Sequence, residues 1–360
     1  MLHKWLHKRQ EKMSAKKRAA IITGSIVGVI AVLFLSCFLI INGYLSKVKY
    51  DPGTKSLTFD IDSEPADTTS DSPQSEIDAL NKEIEENFKN NSTPLMYDKD
   101  VFNILLIGCD TRKAGGSGRS DSMILVSINK KTSKIVMTSL LRDIYVKIPG
   151  IAQGNRLNAA YAYGGASLLL NTIEQNFKIK VDKYIAVDFF SFMDIIDKIG
   201  GVSINISDAE VKVANNYIAE INHLKGLPAD DGKFTSSGMQ TMTGKQALGF
   251  SRIRYVGNGD FGRTDRQRLV MNQVFSKLKT LNFIQLNDLL NTILPETTTN
   301  LSKGEFFSLI LAMPTYSKYS IDSWHVPTND AFSYLSIRKM SVLGIDFQKT
   351  IAEMRERIYN

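Results

Sequence analysis

The chain has little of two residue types on which many secreted proteins and enzymes depend. Its 360 residues contain two cysteines and four histidines. Cys37 lies inside a long apolar run and Cys109 follows Gly108 at the end of another, so a disulfide framework is excluded. Cys109 reads as a small filler beside a turn. His3 and His7 sit at the N-terminus, and His223 and His325 have no zinc-ligand spacing around them. A Ser-His-Asp triad would have to recruit one of the last two from afar. The glycine-rich Gly115-Gly116-Ser117-Gly118 lacks the Lys-Ser/Thr ending of a phosphate-binding P-loop and reads as a loop beside a site.

Positive charge is also scarce where a nucleic-acid binder would need it. The first 18 residues hold seven Lys and Arg against the single Glu11, and so carry six of the seven net positive charges of the chain. The high isoelectric point belongs to a short arm, not to the folded part, and no nucleic-acid partner is expected. Residues 19–41 contain no charge at all. At 1.5 Å rise per residue, such a run spans a hydrocarbon core of roughly 30 Å. It is longer than the apolar region of a cleaved signal, so it reads as a transmembrane helix. The basic arm 1–18 then stays in the cytoplasm, its lysines near anionic lipid, and the rest lies outside a cell membrane crossed once. A disulfide-free external domain of this size suits a Gram-positive surface.

Residues 42–99 read as a stalk. The acidic Ser/Thr/Pro-rich stretch 60–76 is a solvated spacer, and Ile77, Leu80, Ile84 and Phe88 mark a short amphipathic helix. Residues 100–281 read as the main domain. Val101–Ile107, Ser122–Ile128 and Lys134–Leu140 have strand patterns. Helices Asn158–Tyr163 and Ser167–Phe177 flank Gly164-Gly165. Strand Tyr184–Val187, helix Phe189–Ile199 and strand Val202–Ile206 follow. This alternation predicts an α/β fold with a mixed central β-sheet flanked by helices on both faces. Residues 282–360 read as a C-terminal extension, with helices at 283–292, 302–312 and 345–358 and a strand at Ser323–Val326.

The ends of the first three strands carry the chemistry. They deliver Asp110, then Arg119-Ser120-Asp121, then Arg142-Asp143. Carboxylates hold hard cations through oxygen, and arginines fork onto phosphate oxygens. The combination reads as a metal-assisted phosphate site. A second group lies later. Arg252 and Arg254 share one face of an extended segment. Arg263, Arg266 and Gln267 are spaced i, i+3, i+4 at the start of a helix whose stripe continues through Val270, Val274 and Leu278. Guanidinium groups on a core-facing stripe require an anionic partner. Internal pairing with Asp110, Asp121, Asp143, Asp260 and Asp265 is the alternative to a bound anion.

In order, the stretches Asn103–Asp110, Gly118–Asp121, Ser139–Asp143, Asn158–Gly165, Val187–Val202, Gly244–Arg254 and Asp260–Gln267 resemble the LytR-CpsA-Psr family of Gram-positive cell-wall proteins. The resemblance covers nearly all of 100–281. It implies a phosphotransferase that moves a glycopolymer, such as teichoic acid or capsule, from an undecaprenyl-pyrophosphate carrier onto peptidoglycan. It further implies Mg²⁺ on Asp110 and Asp121, and the pyrophosphate on Arg119, Arg142, Arg252, Arg254, Arg263, Arg266 and Gln267. An apolar groove between sheet and helices would take the prenyl tail. Arg142 and Asp143 are the candidate catalytic pair, with Asp143 or another carboxylate of the site accepting the proton of the attacking hydroxyl. The rival expectations are a carrier-lipid binding protein without transfer activity and a transcriptional attenuator.

Overall fold

The computed structural model describes residues 42–43, 46–51, 66–90, 92–109, 118–281, 285, 288–289, 291, 294–328 and 330–360. The expected transmembrane helix 19–41 and the helix expected at 283–292 lie wholly or mostly outside them, as does Asp110. No helix among the described residues is long and apolar enough to cross a membrane. Val48–Asn360 forms one compact unit.

The larger unit opens with strand β1 (Lys49–Tyr50) and helix α1 (Gln74–Lys89). α1 buries Ile77, Leu80 and Ile84 in the main core, so the amphipathic segment of the stalk packs on the domain. Strands β2 (Val101–Cys109), β3 (Ser120–Asn129) and β4 (Lys134–Leu140) form an antiparallel meander rich in Ile, Val and Leu. Short strands β5 (Tyr145–Val146) and β6 (Asn155–Arg156) lead into helix α2 (Ala159–Phe177). Gly165, at φ +65°, makes the kink in α2 that the Gly164-Gly165 pair predicts. Strand β7 (Lys183–Asp188) then pairs parallel with β2.

Helix α3 (Phe189–Lys198), strand β8 (Val202–Ile206), helix α4 (Asp208–Leu224), strand β9 (Gly238–Met242), helix α5 (Gly244–Ser251) and helix α6 (Gly259–Leu278) follow. Among the described residues β8 pairs only with β9, in a small sheet of its own. α5 approaches α3 so closely that a Cβ on Gly244 would clash with the Met193 carbonyl oxygen. Strands β10 (Thr298–Thr299) and β11 (Ser320–Val326) bracket helix α7 (Lys303–Tyr316). Strands β12 (Phe332–Ile337) and β13 (Met340–Ile345) form a hairpin, and helix α8 (Phe347–Tyr359) ends the chain.

The central sheet is seven-stranded and mixed, in the order β1-β10-β7-β2-β3-β4-β11. Helices cover both faces, as expected from the sequence. On one face Leu105, Leu125 and Val136 meet Leu169, Ile173 and Phe177 of α2 and Phe347, Ile351 and Met354 of α8. Each such fully buried aliphatic or aromatic side chain contributes about 1.5–3 kcal/mol. On the other face Ile124, Val126 and Met137 meet Met271 and Phe275 of α6. Leu281 does not separate two compact units. β11 pairs with β4 along seven residues, and α8 fills the core, so residues 320–359 belong to the same fold as β2–β4.

Candidate active site

A cavity of about 490 Å³ lies between the β7-β2-β3 face of the sheet and helices α3, α4, α5 and α6. The sheet supplies its floor in register. Ile185, Leu106 and Ile124 make one cross-strand row, and Val187, Gly108 and Ser122 make the next. Beyond that row the pairing shifts, so that Cys109 faces Ser120 and Asp121 is the extra residue of a β-bulge. Strict alternation would turn Asp121 away from the cavity that Ser122 faces. The bulge lets both side chains line it. The helices add Phe189, Phe192 and Ile195 from α3, Tyr217 from α4, Leu248 from α5, and Met271, Val274 and Leu278 from α6. One end of the cavity is therefore an aliphatic and aromatic gallery.

The other end is cationic. Four arginines line the cavity, Arg142, Arg252, Arg254 and Arg263, together with Gln267, against two aspartates, Asp121 and Asp188. Asp188 caps α3 by accepting from Ser191 N at 2.8 Å. Arg142 donates to Asp121 Oδ1 at 2.7 Å. Arg263 Nη2 lies 2.6 Å from Asp260 Oδ1, and Arg254 Nη2 lies 2.7 Å from Asp260 Oδ2. Arg252 meets Glu220 at 3.2 Å, its guanidinium 4.7 Å from the centre of the Tyr217 ring. Internal pairing is thus real, yet the buried Nε atoms of Arg142 and Arg263 make no hydrogen bond. Arg142 Nε faces Asp143 at 3.5 Å, not the cavity, so an anion in the mouth would be met by the guanidinium groups of the arginines that line it.

Asp143 does not line the cavity. It is 6% exposed and sits behind the arginines. Arg142 Nε and Arg156 Nε each lie 3.5 Å from it, and Arg254 Nη2 lies at 4.0 Å. Burial pushes the Asp143 carboxyl above its ordinary value, Arg142 opposes this most strongly, and Asp260 reinforces it. For Asp260, burial is outweighed by Arg263, Arg254 and Arg142, which hold its carboxyl below the usual range. Burial and Arg142 lower the Arg263 guanidinium, whereas Asp143, Asp121 and Asp260 overcome burial at Arg142 and raise it.

The expected residues therefore divide. Asp121, Arg142, Arg252, Arg254, Arg263 and Gln267 meet at one cavity. Arg119, half-buried just before β3, is not among its lining residues. Arg266 is turned away: Nε donates to Glu210 at 2.8 Å and Nη2 to the Val256 carbonyl at 2.8 Å, so it ties α6 to α4. At 100° per residue, Arg266 and Gln267 fall on opposite sides of the Arg263 direction, and only Gln267 falls on the cavity side. Asp260 and Arg156 were not among the expected site residues. Asp260 was readable only as a possible neutraliser, and the Arg156 contact with Asp143 depends on tertiary packing.

The C-terminal hairpin braces the Arg142-Asp143 loop. Leu343 N donates to the Asp143 carbonyl at 2.8 Å, Asn158 N to the Arg142 carbonyl at 3.2 Å, and Leu157 N to the Ile144 carbonyl at 2.8 Å. As for a metal, no cluster of three or more His, Cys, Asp or Glu able to hold one occurs among the described residues. Mg²⁺ commonly takes one or two carboxylates and completes its shell with phosphate oxygens and water. The Asp121 carboxylate at the cationic end fits that habit.

Comparison with known proteins gives the arrangement its context. The family model described as LytR_cpsA_psr matches residues 66–355. The polyisoprenyl-teichoic acid–peptidoglycan teichoic acid transferase TagU of Enterococcus faecalis is 32% identical over 60% of this chain and 67% of its own. Biofilm regulatory protein A of Streptococcus mutans is 35% identical over 58% of this chain, which spans about half (52%) of that longer relative. Among solved structures, TagT (YwtF) of Bacillus subtilis with bound octaprenyl pyrophosphate lipid is 25% identical, with a TM-score of 0.54 over 74% of this chain and 94% of that one. The family match covers six of the seven strands of the central sheet, the cavity and the C-terminal hairpin together, and on that ground the chain belongs to the LytR_cpsA_psr family.

Proposed function

We propose that this chain is a membrane-anchored phosphotransferase that attaches a polyprenyl-pyrophosphate-linked glycopolymer to peptidoglycan outside the cell membrane. One observation carries the reading: a single cavity joins an arginine-lined mouth to an apolar gallery. The ligand that satisfies both ends is an anion on a hydrocarbon chain. A relative named for teichoic acid transfer to peptidoglycan and a family structure holding octaprenyl pyrophosphate support it. In this reading residues 1–18 are cytoplasmic, 19–41 span the membrane, 42–99 include the stalk, and 100–281 carry the catalytic residues.

The prenyl tail lies along Leu106, Ile124, Ile185 and the α3 and α6 side chains, and its burial holds the donor. Arg142, Arg254 and Arg263 receive the diphosphate, with Arg252 and Gln267 beside them. A sugar hydroxyl of peptidoglycan attacks the phosphorus nearest the glycan. The bond from that phosphorus to the bridging oxygen breaks, and polyprenyl phosphate leaves with both bonding electrons. The arginines stabilise the charge that develops on the phosphoryl oxygens and the leaving group. Asp121 and Asp110 would hold Mg²⁺, whose chemistry here is neutralisation of the diphosphate. Asp143, behind the arginines, orients Arg142 and Arg254, and proton removal falls to a carboxylate on the cavity wall.

The test uses the full-length chain in detergent with lipid-linked polymer, peptidoglycan oligomers and Mg²⁺. Mass spectrometry should find a glycan–phosphate–peptidoglycan adduct. Tight lipid binding without any adduct would instead favour a carrier-binding protein.

A further inference from the structure

Three arginines converge on the one carboxylate of Asp143, and the structure supplies a fourth party that balances them. Arg156 is 4% exposed. Its Nε lies 3.5 Å from Asp143 Oδ1, an ion pair without hydrogen-bond geometry. Its Nη2 meets both carboxylate oxygens of Asp67, at 2.7 and 2.6 Å. Nε also donates to the Ser341 carbonyl at 3.0 Å. Asp67 belongs to the strap that precedes α1. The strap is sewn to the β12–β13 turn through Asp67 N and Thr68 N, which donate to the Lys339 carbonyl at 2.9 and 3.0 Å. Ser341 N returns a bond to Asp67 Oδ1 at 3.0 Å.

We infer that Asp67 and Arg156 are positioning residues, which set how the Asp143 carboxylate is shared among the arginines of the active site. A buried guanidinium must be compensated. While Asp67 holds the Nη2 edge of Arg156, Asp143 needs to answer only its Nε, and stays within reach of Arg142 and Arg254. Without the Asp67 charge, Arg156 has Asp143 as its one remaining carboxylate. The carboxylate then moves toward Arg156 and away from Arg142, the group that meets the diphosphate in the function proposed above. Asp67 is 89 residues from Arg156 in sequence, is not among the residues that line the cavity, and acts through this relay. It places the strap, part of the stalk by sequence, in the positioning machinery of the site.

The inference rests on the proposed function for its kinetic readout and has a second readout that does not. In the transfer assay with the full-length chain, Asp67→Asn should lower kcat by about five- to tenfold while the donor KM stays within about twofold, because the diphosphate ligands are intact but misaligned. Asp67→Glu should recover most of the rate. An unchanged kcat in Asp67→Asn, or no recovery with Glu, overturns the inference. The second readout is a double-mutant cycle in urea unfolding with Asp67→Asn and Asp143→Asn. Their effects on the unfolding equilibrium should depart from multiplicativity by at least about threefold, and the departure should vanish when Arg156→Met is added. Purely multiplicative effects overturn the relay whether or not the wild-type chain transfers polymer. Failure of the wild type to transfer, with the coupling present, overturns the proposed function and leaves the relay standing.

Discussion

Replacing Arg142 by methionine removes the cation at the centre of the site and keeps most of the volume of the side chain. Two costs can be worked from the structure. The first is to stability. Arg142 is 19% exposed and holds Asp121 at 2.7 Å and Asp143 at 3.5 Å. Breaking a buried ion pair by removing one partner costs about 3–5 kcal/mol. The low end applies here, because Asp143 keeps Arg156 and Arg254 and Asp121 is partly exposed. Losing its strongest counterweight also pushes the Asp143 carboxyl further up. The second cost is to the reaction. Loss of one preorganised donor to a developing oxyanion lowers kcat by about 100- to 1,000-fold. Urea unfolding measures the first, and the adduct-forming assay measures the second. Adding Asp121→Asn should restore part of the stability, since it removes the carboxylate left unpaired, and none of the activity. Transfer within about threefold of wild type in a destabilised Arg142→Met chain would refute the argument and make the arginine a structural ion-pair partner only.

Other consequences follow from the same geometry. Leu106→Trp should fill the gallery and weaken octaprenyl pyrophosphate binding by about 5- to 150-fold, an overpacking effect of about 1–3 kcal/mol, while binding of inorganic pyrophosphate is unchanged in calorimetry. Equal losses for both ligands would remove the tail from the gallery. The carboxyl of Asp260 is held below its ordinary value, so the stability it contributes is complete above its unfolded pKa of about 3.9 and is lost as pH falls through its lower folded value. Asp260→Asn should therefore flatten the acid limb of the stability curve, and an unchanged limb in urea titrations would contradict the pairing. Asp121→Ala should weaken the dependence of transfer on Mg²⁺, and an identical metal titration would show the carboxylate to be structural. A chain ending at Leu281 should fail to fold, because it lacks β11, the hairpin and α8. A soluble chain with a cooperative melt would restore Leu281 as a domain boundary.

The central meander was legible because its strands are long apolar runs bounded by turn residues, and α6 because its stripe Val270, Val274 and Leu278 has helical period. The face that gathers Arg263 and Gln267 was read from the same stripe. Helix α4 was not expected, although its start carries a capping box in which Ser207 and Glu210 satisfy each other's backbone donors. Its buried apolar residues Ala214, Ile218 and Ile221 recur at helical spacing, so the signal for it was present in the sequence. The β12–β13 hairpin escaped for a different reason. Its two-residue turn puts Arg338 and Lys339 at φ +53° and +57°, positions usually marked by Asn-Gly. The contacts of the hairpin with Asp143 and with the strap hold the turn there at the cost of an unfavourable backbone. The bulge that turns Asp121 into the cavity leaves no local signature, since it is a property of pairing with β2. The placement of Asp143 behind the arginines, and of Arg156 between Asp143 and Asp67, depends on packing among segments far apart in sequence.

On this reading one cavity holds both halves of a polyprenyl pyrophosphate. A crystal structure of the chain with octaprenyl pyrophosphate tests it most directly. Diphosphate oxygens should lie within hydrogen-bonding distance of Arg142, Arg254 and Arg263, and prenyl carbons against Leu106, Ile185 and Val274. A diphosphate bound elsewhere, or a tail lying outside the gallery, would contradict it.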